Sequence, residues 1–296
     1  QLEAFDAGIE EDSFGKVKCS FKVLPWTVTN LQQNRDGLQD ISKAGDQIRS
    51  QADIESLGQY QTRLYLVPPD GDPKYNGLAY TSPVGGYKRA SVYVHNRDTH
   101  NFASAAAHEL GHTMGMPHAG SITNSGKRTE YGGLRDPMGS SGFIGEGFNA
   151  PQRVSMGWLE KDEVQSVTKD GIYTLNLLDE SIDPSDELLH PIGSKFEGHT
   201  RVVRALRLQK ANTNERYYIS QMRSRGSDVT YLGNLKIHRW DEKLNSSTLE
   251  VLTPVTTQES GWHDGDELYD KENGIRRSKL TGNQINNSIR PLQQKR

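Results

Sequence analysis

Apolar and polar positions alternate along Lys16–Leu24. Val17, Cys19, Phe21 and Val23 are interleaved with Lys16, Lys18, Ser20 and Lys22, a pattern that predicts a half-buried strand. The period then lengthens. Leu38, Ile41, Ala44, Ile48 and Ala52 recur every three or four residues, which predicts an amphipathic helix ending near Gly58. Gln61–Val67 predicts a strand stopped by Pro68 and Pro69, Gly77–Tyr80 a weaker one, and Ala90–His95 a further one. An alanine-rich helix follows from Asn101, a residue suited to capping, to Met114, with Gly115 placed to stop it. After a loop rich in Gly, Ser and Asn, Asn149-Ala150-Pro151 starts a short helix running to Leu159, with proline where no amide donor is needed.

Beyond Glu160 the pattern is strand after strand: Gly171–Leu178, Arg201–Gln209, Arg216–Met222, Asn234–Trp240 and Thr248–Leu252. The polar end, Ser278–Arg296, reads as partly disordered. Strand, helix and strand followed by further strands predict a mixed sheet, and the later run predicts an antiparallel β-sandwich. The expected organisation is therefore an α/β domain over residues 1–160, with a mixed twisted sheet and helices, and a C-terminal β-rich domain over 161–296.

Composition narrows the classes. The 35 Lys and Arg nearly balance 38 Asp and Glu, leaving a net charge of −3, which argues against nucleic-acid binding through bulk charge. No apolar run approaches the roughly 18 residues of a membrane span. The first residues lack a basic start and an apolar stretch, so no signal peptide is expected within this chain. One cysteine, Cys19, excludes an internal disulfide framework and a cysteine-ligated zinc knuckle. Nine histidines remain, and five of them fall between His95 and His118.

The chemistry is concentrated in His108-Glu109-Leu110-Gly111-His112-Thr113-Met114-Gly115-Met116-Pro117-His118. Residues four apart share a helix face, so His108 and His112 can present two imidazoles to one metal ion. Gly115 lets the chain turn and return His118 as a third ligand. Three neutral nitrogens suit Zn²⁺ and leave a fourth position for water, which marks a catalytic rather than a structural site. Glu109 stands beside the site as a base, not a ligand. The residue frequencies of this chain predict on the order of 5 × 10⁻⁵ chance matches to the five fixed positions, so a plain buried helix with surface histidines is a poor account.

This spacing is the metzincin signature, which also requires a methionine in a downstream turn. Asp136-Pro137-Met138-Gly139 supplies one, 20 residues past His118. The runs Tyr131–Gly139, Phe148–Arg153 and Met156–Leu159 then resemble the gametolysin-type peptidases, secreted metzincins first known from algal cell-wall lysis. The resemblance is specific over roughly Ser91–Leu159 and one of texture beyond. This chain keeps histidine at 108, where some algal members carry glutamine. Ala119 and Ser140 stand where other metzincin groups place Asp and Tyr, so an astacin-like tyrosine ligand is not expected.

The resemblance implies a secreted zinc endopeptidase acting on extracellular proteins or glycoproteins. In that mechanism the ion lowers the pKa of its water and polarises the carbonyl, while Glu109 takes the water's proton and passes it to the leaving amine. In metzincins the strand before the zinc helix is an edge that pairs with extended substrate, which here designates Ser91, Val92, Tyr93 and Val94. Latency could come from an inhibitory propeptide not present in this chain. Two other readings are a secreted zinc-containing binding protein with little turnover and a zinc hydrolase of non-peptide amides. An intact Glu109 disfavours the first, and a substrate-pairing edge disfavours the second.

Lesser candidates have plainer alternatives. His95 and His100 line a cleft or sit at the surface. Cys19 is a latency ligand or core packing. Asp136 orients a ligand histidine or shapes its turn. Tyr131 lines the pocket or packs in a loop. His263–Asp270 is oxygen-rich, but it lacks the acidic spacing of a calcium loop, so Ca²⁺ has no support beyond that density.

Overall fold

The structure is a computed structural model. It describes residues 2–24, 62–67, 77–84, 87–95, 99–123, 126–133, 136–139, 147–179, 195–196, 199–200, 202–210, 213–222, 234–241, 248–251, 267–270, 275–279 and 284–289. Three helices are described: α1 (Leu2–Asp12), α2 (Thr99–Thr113) and α3 (Ala150–Ser155). The strands in order are β1 (Thr62–Val67), β2 (Gly77–Val84), β3 (Tyr87–His95), β4 (Ala119–Ile122), β5 (Arg128–Thr129), β6 (Val164–Ser166), β7 (Gly171–Thr174), β8 (Lys195–Phe196), β9 (His199–Thr200), β10 (Ala205–Gln209), β11 (Glu215–Met222), β12 (Asn234–Asp241), β13 (Thr248–Val251), β14 (Glu267–Asp270), β15 (Ile275–Lys279) and β16 (Gln284–Ile289). No helix among the described residues is long and apolar enough to cross a membrane.

The chain divides into two compact units, Gln1–Ala7 with Lys18–Met116, and Gly8–Val17 with Pro117–Arg296. The first contains a three-stranded mixed sheet in the order β1-β3-β2. β3 runs parallel to β1, with Thr62 opposite Ala90, and antiparallel to β2, with Ala79 opposite Val92. Helix α2 lays a small-residue face on this sheet. Ala106 is buried among Leu64, Leu66, Ala79, Ala105 and Leu110. Alanines let helix and sheet backbones approach closely, which explains their density just before the histidines.

The second unit is built on a seven-stranded sheet, β5-β4-β13-β12-β11-β10-β6, beside a four-stranded sheet, β14-β15-β16-β7. β11 is apolar on both faces, as a strand covered on both sides must be. Tyr217 and Ile219 join Leu206, Leu208, Leu235 and Ile237 in one core. Tyr218 and Met222, on the alternate positions, join Leu178, Trp240, Ala150 and Leu159 in another.

Several expectations are corrected. A boundary after Glu160 does not match the units, because β4 and β5 precede that residue and share a sheet with β6 and β10–β13. β4 pairs in parallel with β13, so the chain after the histidine motif is already part of the β-rich unit. Lys16–Leu24 forms no strand among the described residues, and Phe21 and Val23 are exposed. Among the described residues no strand pairs with this segment. Within the end expected to be partly disordered, Gln284–Ile289 forms β16, which pairs antiparallel with β15; residues 290–296 lie outside the described residues. α2 begins at Thr99, so Asn101 lies in its first turn rather than at its cap. The helix expected over Leu38–Leu57 lies outside the described residues. α1 was not anticipated.

One part of α1 is fixed by a buried ion pair. Asp12 and Arg153 are both fully buried, and Arg153 Nη2 donates to Asp12 Oδ1 at 2.8 Å. Arg153 also donates to the carbonyls of Phe148 and Leu178, and Asp12 accepts from the Phe148 amide. With each guanidinium nitrogen donating to a partner, the pair is tolerable; with one partner removed, a buried charge is left uncompensated. Asp12→Ala is expected to cost about 3–5 kcal/mol in urea unfolding, and a cost under about 1 kcal/mol would contradict this account.

A second consequence is pH-dependent. His238 on β12 is buried, and burial, then the nearby Lys236 charge, push its pKa down to about 3 from the ordinary 6.5. Above pH 6.5 the imidazole is neutral folded or unfolded. Between 6.5 and 3 only the unfolded chain takes the proton, so stability falls as pH falls. His238→Met is expected to flatten the acid side of the urea-midpoint profile, by up to about 1.4 kcal/mol per pH unit over that window. An unchanged profile would show that other groups control it.

Candidate metal centre

The histidine motif folds as helix geometry requires. His108, Glu109 and His112 lie on α2, and His108 and His112 meet one turn apart with ring centroids 4.7 Å apart and rings nearly perpendicular. The helix then ends in a Schellman closure. The Met116 amide donates to the Gly111 carbonyl at 3.0 Å, and the Gly115 amide to that of His112 at 2.9 Å. Gly115 sits at φ +95°, a conformation side chains rarely adopt. This closure turns the chain so that His118 returns. One potential ligand atom from each of His108, His112 and His118 lies within 4.8 Å of the other two, and these three form the metal-capable group found among the described residues.

Hydrogen bonding sets the tautomers. His112 Nδ1 is 2.9 Å from the Met116 carbonyl oxygen, which can only accept, so Nδ1 carries the proton and Nε2 presents a lone pair. That Nε2 lies 3.1 Å from His108 Nε2. Two zinc–nitrogen bonds at a tetrahedral angle would hold their nitrogens about 3.4 Å apart, so the pair is close to the spacing one ion requires. His118 Nδ1 is 2.9 Å from Glu130 Oε1, which likewise points to Nε2 as the atom that would ligate. The donor set therefore fits Zn²⁺: three imidazoles converge, and two of them have a hydrogen-bond acceptor behind the ring.

Glu109 is buried beside this group. Burial pushes its pKa up to about 7, against a lowering hydrogen bond from the Ala79 backbone. Gly77, at the start of β2, approaches so closely that a Cβ there would fall 2.8 Å from Glu109 Cγ and Oε1. A side chain at 77 would displace the carboxylate.

Met138 is fully buried in its turn. Asp136 makes that turn: its Oδ1 accepts from the Met138 amide at 2.8 Å, and its carbonyl accepts from Gly139. Its Oδ2 accepts from Asn149 Nδ2 at 2.7 Å. These contacts assign Asp136 to turn shaping. Asn149 also caps α3 in a reciprocal box with Gln152, whose amide nitrogen donates to the Pro117 carbonyl at 3.0 Å. The Met138 carbonyl accepts from the Ala119 amide at 2.8 Å. His118 is thus flanked on both sides by residues tied to the methionine turn and the α3 cap.

The substrate-edge expectation is corrected. Ser91, Val92, Tyr93 and Val94 lie in β3, whose two sides are already paired with β1 and β2. Among the described residues β2 is an edge of that sheet, and it is β2 that reaches Glu109. Cys19 is half-buried outside any strand, its amide donating to Asp6 Oδ1, and burial, then Asp6, raise its pKa. It is not among the metal-capable residues. Tyr131 is half-exposed and packs its ring 4.4 Å from that of His118. His95 ends β3 and His100 opens α2. The first part of the oxygen-rich segment, residues 263–266, lies outside the described residues. Glu130 was missed; the Gly126 turn between Ser121-Ile122 and Arg128-Thr129 was the available signal.

With this geometry in place, comparison with known proteins identifies the class. The sequence model described as gametolysin peptidase M11 matches residues 10–228, and the chain belongs to that family. It is a metallopeptidase by membership, with polypeptide as its substrate. No curated protein and no solved structure matches the chain.

The helix stop generates a prediction. Gly115→Ala forces a side chain into a positive-φ position, which costs about 1–2 kcal/mol. If the turn carries His118 to its place, zinc affinity measured by chelator competition falls along with stability. A variant less stable but with unchanged zinc affinity would separate the turn from the ligand set.

Proposed function

We propose that this protein is a secreted zinc endopeptidase of the metzincin kind, cleaving extracellular proteins or glycoproteins. The observation that carries the reading is the convergence of His108, His112 and His118 with buried Glu109 next to them. The three-stranded mixed sheet under α2 supports a metzincin-like catalytic part, and the seven- and four-stranded sheets of the second unit support a β-sandwich-like one. The catalytic part takes in the chain through the methionine turn and α3. Secretion and an inhibitory propeptide are inferred from the family resemblance.

His108, His112 and His118 would hold the ion, which supplies Lewis acidity to a substrate carbonyl and acidity to a water. Glu109 takes the proton from that water as it attacks and gives it to the departing amine nitrogen. Its burial suits it to both tasks, because a base near neutrality can accept and return a proton. The free side of β2 offers main-chain groups to an extended peptide, which would lie as a further strand beside Glu109. Met138 makes an apolar floor near His118 and binds no metal. Together these groups favour a polypeptide over a small amide, which could not use the strand edge.

Casein hydrolysis by the zinc-loaded chain and by Glu109→Gln, prepared identically, tests the proposal. Loss of a positioned general base lowers the rate by about 10²–10⁴-fold, with zinc content unchanged. Equal rates would assign the activity to a contaminant. Zinc binding without turnover in the wild type, over a broad peptide library, would favour the binding-protein reading.

A further inference from the structure

The third ligand stands apart from the other two in how it is held. His108 and His112 share a helix, whereas His118 follows a turn and precedes β4. Across from it runs β5, in a tight hairpin. Ser121 faces Thr129 and Ile122 faces Arg128, so continuing the register by one and two residues brings Glu130 and Tyr131 back beside the start of β4. Two contacts result. Glu130 Oε1 accepts from His118 Nδ1 at 2.9 Å, and the Tyr131 ring lies 4.4 Å from the imidazole, tilted by 46°.

We propose that Glu130 is a positioning residue for the metal centre: its carboxylate fixes the His118 tautomer and ring orientation so that Nε2 is presented to zinc. The proposal rests on the zinc reading above. Glu130 is not a fourth ligand, because its oxygen is on the Nδ1 side of the ring, away from Nε2. A carboxylate behind a ligating imidazole also raises the ligand's basicity, and removing such a partner typically weakens metal binding by about 10–100-fold. Glu130 is 65% exposed, so water screens part of the interaction and the low end of that range applies. The hairpin gives this chain a sequence-distant carboxylate, 12 residues from the histidine, to do for His118 what the Met116 carbonyl does for His112.

The test is zinc affinity, measured on the full chain by competition with a chromophoric chelator, for the wild type, Glu130→Ala, Glu130→Gln and His118→Ala. The visible spectrum of each cobalt-substituted form reports ligand geometry independently of turnover. Glu130→Ala is expected to bind zinc about tenfold more weakly, with altered cobalt bands. Glu130→Gln keeps an acceptor oxygen without the charge and is expected to fall between the two. Circular dichroism shows whether each variant is folded, which an exposed substitution should leave intact. Affinity of Glu130→Ala within twofold of wild type, while His118→Ala loses more than about 100-fold, would overturn the role of Glu130 and leave the zinc centre standing. Unchanged affinity in His118→Ala would overturn both.

Discussion

A ligand that follows a helix rather than lying on it must be placed by something else, and here a short polar relay does it. Asp136 closes the methionine turn and accepts from Asn149; Asn149 caps α3 with Gln152; Gln152 donates to the carbonyl of Pro117. Asn149 and Gln152 are essentially fully buried and Asp136 nearly so, and these bonds satisfy polar groups that would otherwise be expensive to bury. The same bonds fix the loop carrying His118. Met138 is locked in the same unit through Ala119, so third ligand, methionine turn and α3 are held by one set of hydrogen bonds.

The other half of the centre has a different physical basis. The 3.6-residue period sets His108 over His112, and alanine packing on the β1-β3-β2 sheet fixes the helix that carries them. Glu109 packs against the start of β2, where Gly77 makes room for it. Rigid helix and close backbone approach are what the proposed base would need to stay near a metal without ligating it. The Schellman closure at Gly115 is where one mode of support gives way to the other.

The sequence showed much of this because the decisive information was local. Histidines four apart, a helix-stopping glycine, a returning histidine and a methionine turn occupy a short stretch. The helix start at Asn149-Ala150-Pro151 was legible for the same reason, though its capping box with Gln152 was not read. What escaped was set by pairing across distance. Alternation in Lys16–Leu24 looked like a strand, but a strand needs a neighbour. β3 directly precedes the histidine helix and was read as the substrate edge on resemblance, but β1 and β2 pair on both its sides. The split at Glu160 followed a change in texture, whereas β4 joins β13 more than a hundred residues later. Asp12 and Glu130 carry ordinary charges in sequence, and only the fold gives them Arg153 and His118 as partners.

X-ray absorption at the zinc edge is the most direct measurement of the central claim. The account predicts one zinc per chain with nitrogen and oxygen neighbours at about 2.0–2.1 Å, the outer-shell scattering of three imidazoles, and no sulfur. A sulfur neighbour near 2.3 Å would implicate Cys19 or a methionine, and fewer than three imidazoles would break the ligand set. Either result would contradict the account.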